Sequence, residues 1–247
     1  MAECYVPDWA VPANVRALQT TRIGGVSRAP WASLNLGDHV GDDAAAVAAN
    51  RAALRARLPA DPLWLTQVHG TVAVDADERP ETREADAAFA RQPGHVCAVM
   101  TADCLPVLLC DRQGKSVAAV HAGWRGLLAG VLESTVAAMN VLPGDLLVWL
   151  GPAIGPRRFE VGDEVRDAFV GERPVAGLAF VSQQPGKWLC DIYLLARQRL
   201  QGMGVSEISG GGSCTVSEGE RYFSYRRDGV TGRMASLIWL ENRAQSV

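Results

Sequence analysis

The sequence predicts an α+β fold with largely antiparallel or mixed sheets. Three observations lead there. Short apolar or alternating runs suit strands, helical periodicity is confined to four segments, and several strands follow one another between residues 63 and 120, where a doubly wound fold would alternate strand and helix. At 247 residues the chain can bury a large core, and with no linker in view it is expected to form one domain over 1–247.

Taken in order, the first strand is expected at 16–21. Asp42 and Asp43 then cap a helix whose Val47, Leu54 and Leu58 share a face, with Pro59 beyond its end. Strands are expected at 63–67, 71–74, 96–101, 105–110 and 116–120. A second helix begins near Gly126 and carries Leu128, Val131, Leu132, Thr135 and Met139 at helical spacing. A strand at 146–150 follows. A helix over 161–170 pairs Val165 with Phe169, and another over 191–202 lines up Ile192, Leu195, Arg199 and Met203 before glycines end it. The last strand is 234–240, preceded by FSYRRDGVTGR (223–233), which reads as a solvated β-hairpin.

A net charge of −3 with 21% charged and 48% hydrophobic residues describes an ordinary globular protein. The basic pairs Arg157-Arg158 and Arg226-Arg227 are too short and too diluted by acids for a nucleic-acid-binding face. No apolar run approaches the roughly 20 residues of a spanning helix. The first ten residues, with Glu3, Pro7 and Asp8, do not read as a secretory signal. Six cysteines (Cys4, Cys97, Cys104, Cys110, Cys190, Cys214) without a C-x-x-C pair argue for reduced thiols and a cytoplasmic location. Cys97, Cys110 and Cys190 read as core packing. No nucleic-acid or membrane partner is expected, and the sequence leaves the oligomeric state open.

The candidate chemistry lies at His69 in TQVHG, Cys104 in ADCLPVLLCD and His121 in HAGWRG. The turn DRQGKS (111–116) makes 105–110 and 116–120 a hairpin, with opposed residue numbers summing to about 224–228. That sets Cys104 beside the 120–124 region and hence beside His121; a neighbouring strand position would bring His69 to the same rim. Four readings stand. The residues could be structural. They could hold zinc with an open fourth position, since no other ligand presents itself. They could hold copper, with Met100 as a weak axial ligand, although a multicopper oxidase needs more histidine than the four residues here supply. Or Cys104 could be a nucleophile activated by His121, with Asp103 orienting the base.

Three loops could hold an anion or a polar substrate. After His121, Ala122-Gly123-Trp124-Arg125-Gly126 frees backbone N–H groups ahead of a helix, and Arg125 adds charge. TTRIGGVS (20–27) carries Arg22, with SLNLG (33–37) and Asn35 close behind. Tyr225, Arg226 and Arg227 offer stacking and charge. The candidate substrate- or phosphate-binding residues are Arg22, Asn35, Arg125 and Arg226.

TTRIGGVS, SLNLG, HVGD, WLTQVHG, AVMTADCLPVLLCD, HAGWRG, WLGPAIGPRRFEVG, FSYRRD and TGRMASLIWL occur in the order found in the YfiH/YlmD family, also known as laccase-domain or polyphenol-oxidase-like proteins and as peptidoglycan editing factor. The chain resembles that family over nearly its whole length. The resemblance implies a layered α/β/β/α domain with mixed sheets, similar to the cysteine-hydrolase-like fold of glutamine-deamidating toxins. It further implies zinc on His69, Cys104 and His121, which would also be the catalytic residues. The activities implied are phosphorolysis of adenosine, inosine, guanosine and methylthioadenosine, and deamination of adenosine, with nucleoside and phosphate as small-molecule partners. Other members are described as editing peptidoglycan precursors, here with Cys104 or the metal acting on an amide, or as copper-dependent phenol oxidases. A non-enzymatic metal-binding scaffold is the remaining alternative. The H-x-E and P-C-x-x-C signature of the better-known zinc deaminases is absent.

Overall fold

A computed structural model describes residues 2–78, 80 and 82–242; the rest of the expected 1–247 domain lies outside the described residues. In chain order the elements are β1 (Cys4–Tyr5), β2 (Val15–Thr20), α1 (Ala44–Arg55), β3 (Pro62–Leu63), β4 (Ala73–Asp75), β5 (Ala87–Ala90), β6 (Val96–Thr101), β7 (Leu105–Asp111), β8 (Val117–Ala122), α2 (Trp124–Ala129) and α3 (Val131–Met139). They continue with β9 (Leu146–Leu150), β10 (Glu160–Gly162), α4 (Asp163–Glu172), β11 (Phe180–Gln184), β12 (Lys187–Cys190), α5 (Ile192–Met203), β13 (Glu207–Gly210), α6 (Tyr225–Asp228) and β14 (Met234–Leu240).

Two mixed sheets pack face to face. One has the order β1-β2-β14-β6-β3 and the other β13-β9-β7-β8-β5-β4, while β10, β12 and β11 form a small third sheet. The strand alternation sorts the apolar residues into layers. Cys97 and Val99 of β6 and Ile238 and Leu240 of β14 meet Leu108, Cys110, Val117 and Ala119 of β7 and β8 between the sheets. The opposite parity of the first sheet, Ala98, Leu237 and Trp239, packs on Leu54 of α1. The opposite parity of the second sheet, Val107, Leu109, Ala118 and Val120, packs under α2, α3, α4 and α5. The result is the layered α/β/β/α arrangement.

The helices begin and end where local chemistry asks. The Asp43 side chain accepts from Ala45 N at the start of α1, the Asp191 side chain accepts from Leu194 N at the start of α5, and Gly204 closes α5 in the left-handed region. Arg199 is drawn inward from its stripe by Glu133 at 2.9 Å and Glu172 at 3.1 Å, linking α5 to α3 and α4.

Four expectations change. The helix expected from Gly126 is broken into α2 and α3 at Gly130, whose φ of 97° no α-helix contains. The strand expected over 63–67 is reduced to β3, followed by a single bridge between Thr66 and Glu84. The hairpin expected over 223–233 is instead the helical turn α6, capped by Ser224 accepting from Arg227 N. The sequence reading also omitted β1, β5, whose AAFA lacks the β-branched residues that mark a strand, and the short strands β10 to β13, the first of which takes residues 161–162 from the expected helix.

Candidate metal centre

One end of the six-stranded sheet gathers the site. β7 runs antiparallel to β8, β8 antiparallel to β5, and β5 parallel to β4. The starts of β7, β5 and β4 therefore share an edge with the end of β8. Cys104 precedes β7, His121 lies at the end of β8, and His69 lies in the loop leading to β4. In the hairpin, Leu105 faces Ala122 and Cys110 faces Val117, within the expected register. The turn is held by the Asp111 carboxylate, which accepts from Gln113 N, Lys115 N and Ser116 N.

The ligand atoms offered by His69, Cys104 and His121 all lie within 4.8 Å of one another. Cys104 Sγ is 3.7 Å from His69 Nε2. Zinc bond lengths at tetrahedral angles separate such donors by about 3.3–3.8 Å, a range that holds the Cys104–His69 pair and that the set as a whole would reach by drawing inward on a metal. The two imidazoles meet edge to face with centroids 4.8 Å apart. Gly123 is required beside them: a Cβ there would lie 2.7 Å from His69 Cδ2 and 3.1 Å from Cys104 Sγ.

The residue that organises the trio is Asp86, which the sequence reading missed. The register that pairs Ala87 with Val120 carries Asp86 opposite His121, and His121 N donates to Asp86 O at 2.7 Å. The fully buried Asp86 carboxylate lies 2.7 Å from His121 Nδ1 through Oδ1. It also accepts from His69 N at 2.9 Å, Gly70 N at 2.6 Å and Val68 N at 3.2 Å. One carboxylate thus turns Nε2 of His121 toward the site and holds His69 at a left-handed φ of 61°. Asp103, expected to orient the base, does something else. At φ 98° it accepts from Thr215 Oγ1 and Arg226 N, both at 2.6 Å, and so ties the 213–228 segment over the site.

Burial raises the Asp86 pKa, but hydrogen bonds from His121 and from the backbone of Gly70 and His69 outweigh it and hold the carboxylate below its ordinary value. Burial likewise pushes the Cys104 thiol up, and the neighbouring His121 and His69 more than reverse it. His121 is lowered by burial and raised further by Cys104 and Asp86. The pocket therefore favours a thiolate, the form a metal binds and the form that attacks a carbonyl.

Two cavities meet at the trio, sharing His69, Ala102, Cys104 and Tyr225. One, of about 310 Å³, is lined by Trp124, Phe159, Ile154 and Ile192 together with Arg125 and Arg226. The other, of about 420 Å³, is lined by His121, His39, Gln67, Met100, Thr101 and Arg233. Arg125 and Arg226 thus stand in the wall of the aromatic cavity. Arg22 and Asn35 line neither cavity. Arg22 donates to Ala32 O and Gly219 O and lies over the Phe223 ring. Asn35 is fully buried, donating to Gly37 O and Asp42 and accepting from Gly37 N and Arg233 N. Met100 packs in the α1 layer, with its sulfur 4.0 Å from Arg51 Nη2, and also lines the cavity that holds the trio. Tyr225, named only for stacking, is shared by both cavities, while Arg233 and Gln67 lie in quoted motifs, TGRMASLIWL and WLTQVHG, without an assigned role.

Residues 16–241 match the model of the family described as multi-copper polyphenol oxidoreductase laccase. The purine nucleoside phosphorylase YfiH of Escherichia coli is 56% identical over 243 residues, covering 97% of this chain and all of the relative. The chain belongs to this YfiH family. Another of its members, a purine nucleoside phosphorylase of Pseudomonas aeruginosa, is 59% identical over 237 residues, covering 96% of this chain and 98% of its own. Among solved structures, a Neisseria meningitidis protein superposes with a TM-score of 0.93 at 52% identity, covering 97% of this chain and 99% of that one. YlmD of Geobacillus stearothermophilus gives a TM-score of 0.84 at 32% identity, with 93% of each chain covered. The YfiH family thus joins phosphorylase and oxidase names on one fold. Among the described residues, no helix is long and apolar enough to cross a membrane.

Proposed function

We propose that the chain is a zinc-dependent purine nucleoside phosphorylase, acting on adenosine, inosine, guanosine and methylthioadenosine, and that the same site deaminates adenosine. The observation that carries this reading is an open His₂Cys set at the junction of two cavities, one aromatic with Arg125 and Arg226 at its wall, the other a polar cavity with His39, Gln67, Thr101 and Arg233. The names of the relatives support the same reaction class. A purine fits the aromatic cavity by stacking among Trp124, Phe159 and Tyr225, with Arg125 and Arg226 beside its ribose and polar edges.

In phosphorolysis the glycosidic C1′–N9 bond breaks and its electron pair leaves with the purine, which takes up a proton. A phosphate oxygen forms the new bond to C1′, giving free base and ribose 1-phosphate. An arginine-held phosphate steadies the positive charge that develops on the sugar. Asp86 keeps the proton of His121 at Nδ1, leaving Nε2 for the metal. Zinc, when bound, supplies Lewis-acid polarisation and activation of water, the second of which serves deamination at C6.

The test is to incubate purified, metal-replete protein with inosine or adenosine, with and without phosphate. Hypoxanthine or adenine should appear only with phosphate, inosine should appear from adenosine without it, and His121→Ala should abolish both. Absence of turnover by metal-replete protein would sink the proposal.

One observation favours a second reading. Cys104, His121 and Asp86 form a nucleophile–base–carboxylate series suited to an amidase editing peptidoglycan precursors. Amide cleavage surviving complete chelation and lost in Cys104→Ser would select it over the metal mechanism.

A further inference from the structure

Arg233 faces the polar cavity without a carboxylate partner among the described residues. Its Nη1 donates to the carbonyls of Thr231 at 3.1 Å and Gly232 at 3.0 Å, and its stem packs where a Cβ on Gly37 would come within 2.8 Å. The backbone bonds and the packed stem aim a half-buried cation at the trio. No carboxylate lines this cavity, whereas Asp103 lines the other. Thr101, in the same wall, is 2% exposed, and its buried hydroxyl has no hydrogen-bond partner. Gln67 offers little competition for a ligand, because its amide is spent on Met100 N and O at 2.7 and 2.8 Å. The arginines of the aromatic cavity lie against its rings, Arg226 over Phe159 while donating to Glu160 O at 2.9 Å and Arg125 over Trp124.

A half-buried guanidinium that has Cys104 and Asp103 as opposing charges near it but forms no ion pair among the described residues keeps capacity for an anion, and its fork matches a tetrahedral oxyanion. We infer that the polar cavity is the oxyanion subsite, where Arg233 binds inorganic phosphate with the Thr101 hydroxyl as a further donor, across the trio from a nucleoside in the aromatic cavity. The inference rests on the phosphorylase reading for its role in turnover, but binding of phosphate can be measured without it.

The experiment compares wild type, Arg233→Gln, Arg233→Lys and Thr101→Val, each checked for metal content and thermal unfolding midpoint. Initial rates are taken with phosphate varied at saturating inosine and with inosine varied at saturating phosphate. Inorganic phosphate is also titrated calorimetrically into metal-replete protein without nucleoside. Arg233→Gln should raise KM for phosphate about ten-fold or more, in line with loss of a charge-assisted pair, and shift KM for inosine less than about two-fold. Arg233→Lys should recover part of that loss. Thr101→Val should raise KM for phosphate about three-fold without lowering the unfolding midpoint, because the hydroxyl it removes has no partner in the fold. Unchanged phosphate KM and affinity in Arg233→Gln, or an equal rise in both KM values, would overturn the inference. If wild type cleaves no nucleoside, the phosphorylase reading fails and the titration alone decides: weakened phosphate binding in Arg233→Gln supports the subsite, and undiminished binding refutes it. If Arg233→Gln does not fold, Thr101→Val decides by the same measures.

Discussion

Asp86 is fully buried and answers hydrogen-bond donors from His121 and from three consecutive backbone N–H groups. Asp86→Asn keeps the shape but replaces one acceptor oxygen with an NH₂ group that faces donors. Loss of such a partner behind a metal ligand weakens metal binding about 10- to 100-fold, measurable by competition with a chromophoric chelator. The carboxylate's pKa is depressed in the fold, so it stabilises the protein above the ordinary carboxylate range and loses that contribution as pH falls through the folded-state value. The stability gap between wild type and Asp86→Asn, followed by urea denaturation, should therefore be full at pH 6 and close as pH falls below about 4. At this scale His69, Cys104 and His121 were legible because imidazole and thiol announce themselves, and the hairpin register tied two of them together. Asp86 was not. An acidic residue inside EADAAFA looks like any solvated carboxylate until the β5–β8 register brings it opposite His121. Arg22 and Asn35 show the reverse case: a donor-rich glycine loop can be spending its donors on its own backbone.

Strands and helices were legible in proportion to how much of their stabilisation is local. β6, β9 and β14 fall at the expected residues because each is an apolar run bounded by turn-formers. The alanines of β5 are small enough for close packing on both faces, and small residues carry no strand signal. β11 is mostly exposed and owes its conformation to pairing with β12, which no pattern within its own five residues records. The β7–β8 hairpin makes a testable element. Gly114 in its turn has φ 62°, and a Cβ there would lie 2.3 Å from Asn14 Oδ1, whose amide donates to Gly114 O at 2.8 Å. Gly114→Ala should lower the urea midpoint, with a loss of about 1–3 kcal/mol from the positive φ and the displaced Asn14. Its metal content should remain that of wild type, because the turn lies at the opposite end of the strands from the trio.

Across the whole molecule, the layered arrangement was foreseeable from strand succession and family resemblance, but the order of strands within each sheet was not. β14, late in the chain, sits in the middle of the first sheet between β2 and β6, and such long-range pairing leaves no local mark. The three main apolar clusters occupy the layers of the sandwich, away from the three-donor edge. Removing metal with a chelator should therefore leave far-ultraviolet circular dichroism unchanged and lower the unfolding midpoint only by the linkage of ligand to the native state. Wholesale unfolding on chelation would instead mark the metal as a folding element, as the scaffold alternative requires.

The chain passes from one large sheet to the other between β6 and β7, and Cys104 stands at that passage. His69 stands at the corresponding passage between β3 and β4, whereas His121 lies within β8 of the second sheet. A complete donor set thus exists only after the two sheets have come together face to face. Metal capture then serves as a clock on assembly: in a refolding experiment, uptake by a fluorescent zinc indicator assay should lag behind formation of secondary structure and coincide with closure of the inter-sheet core.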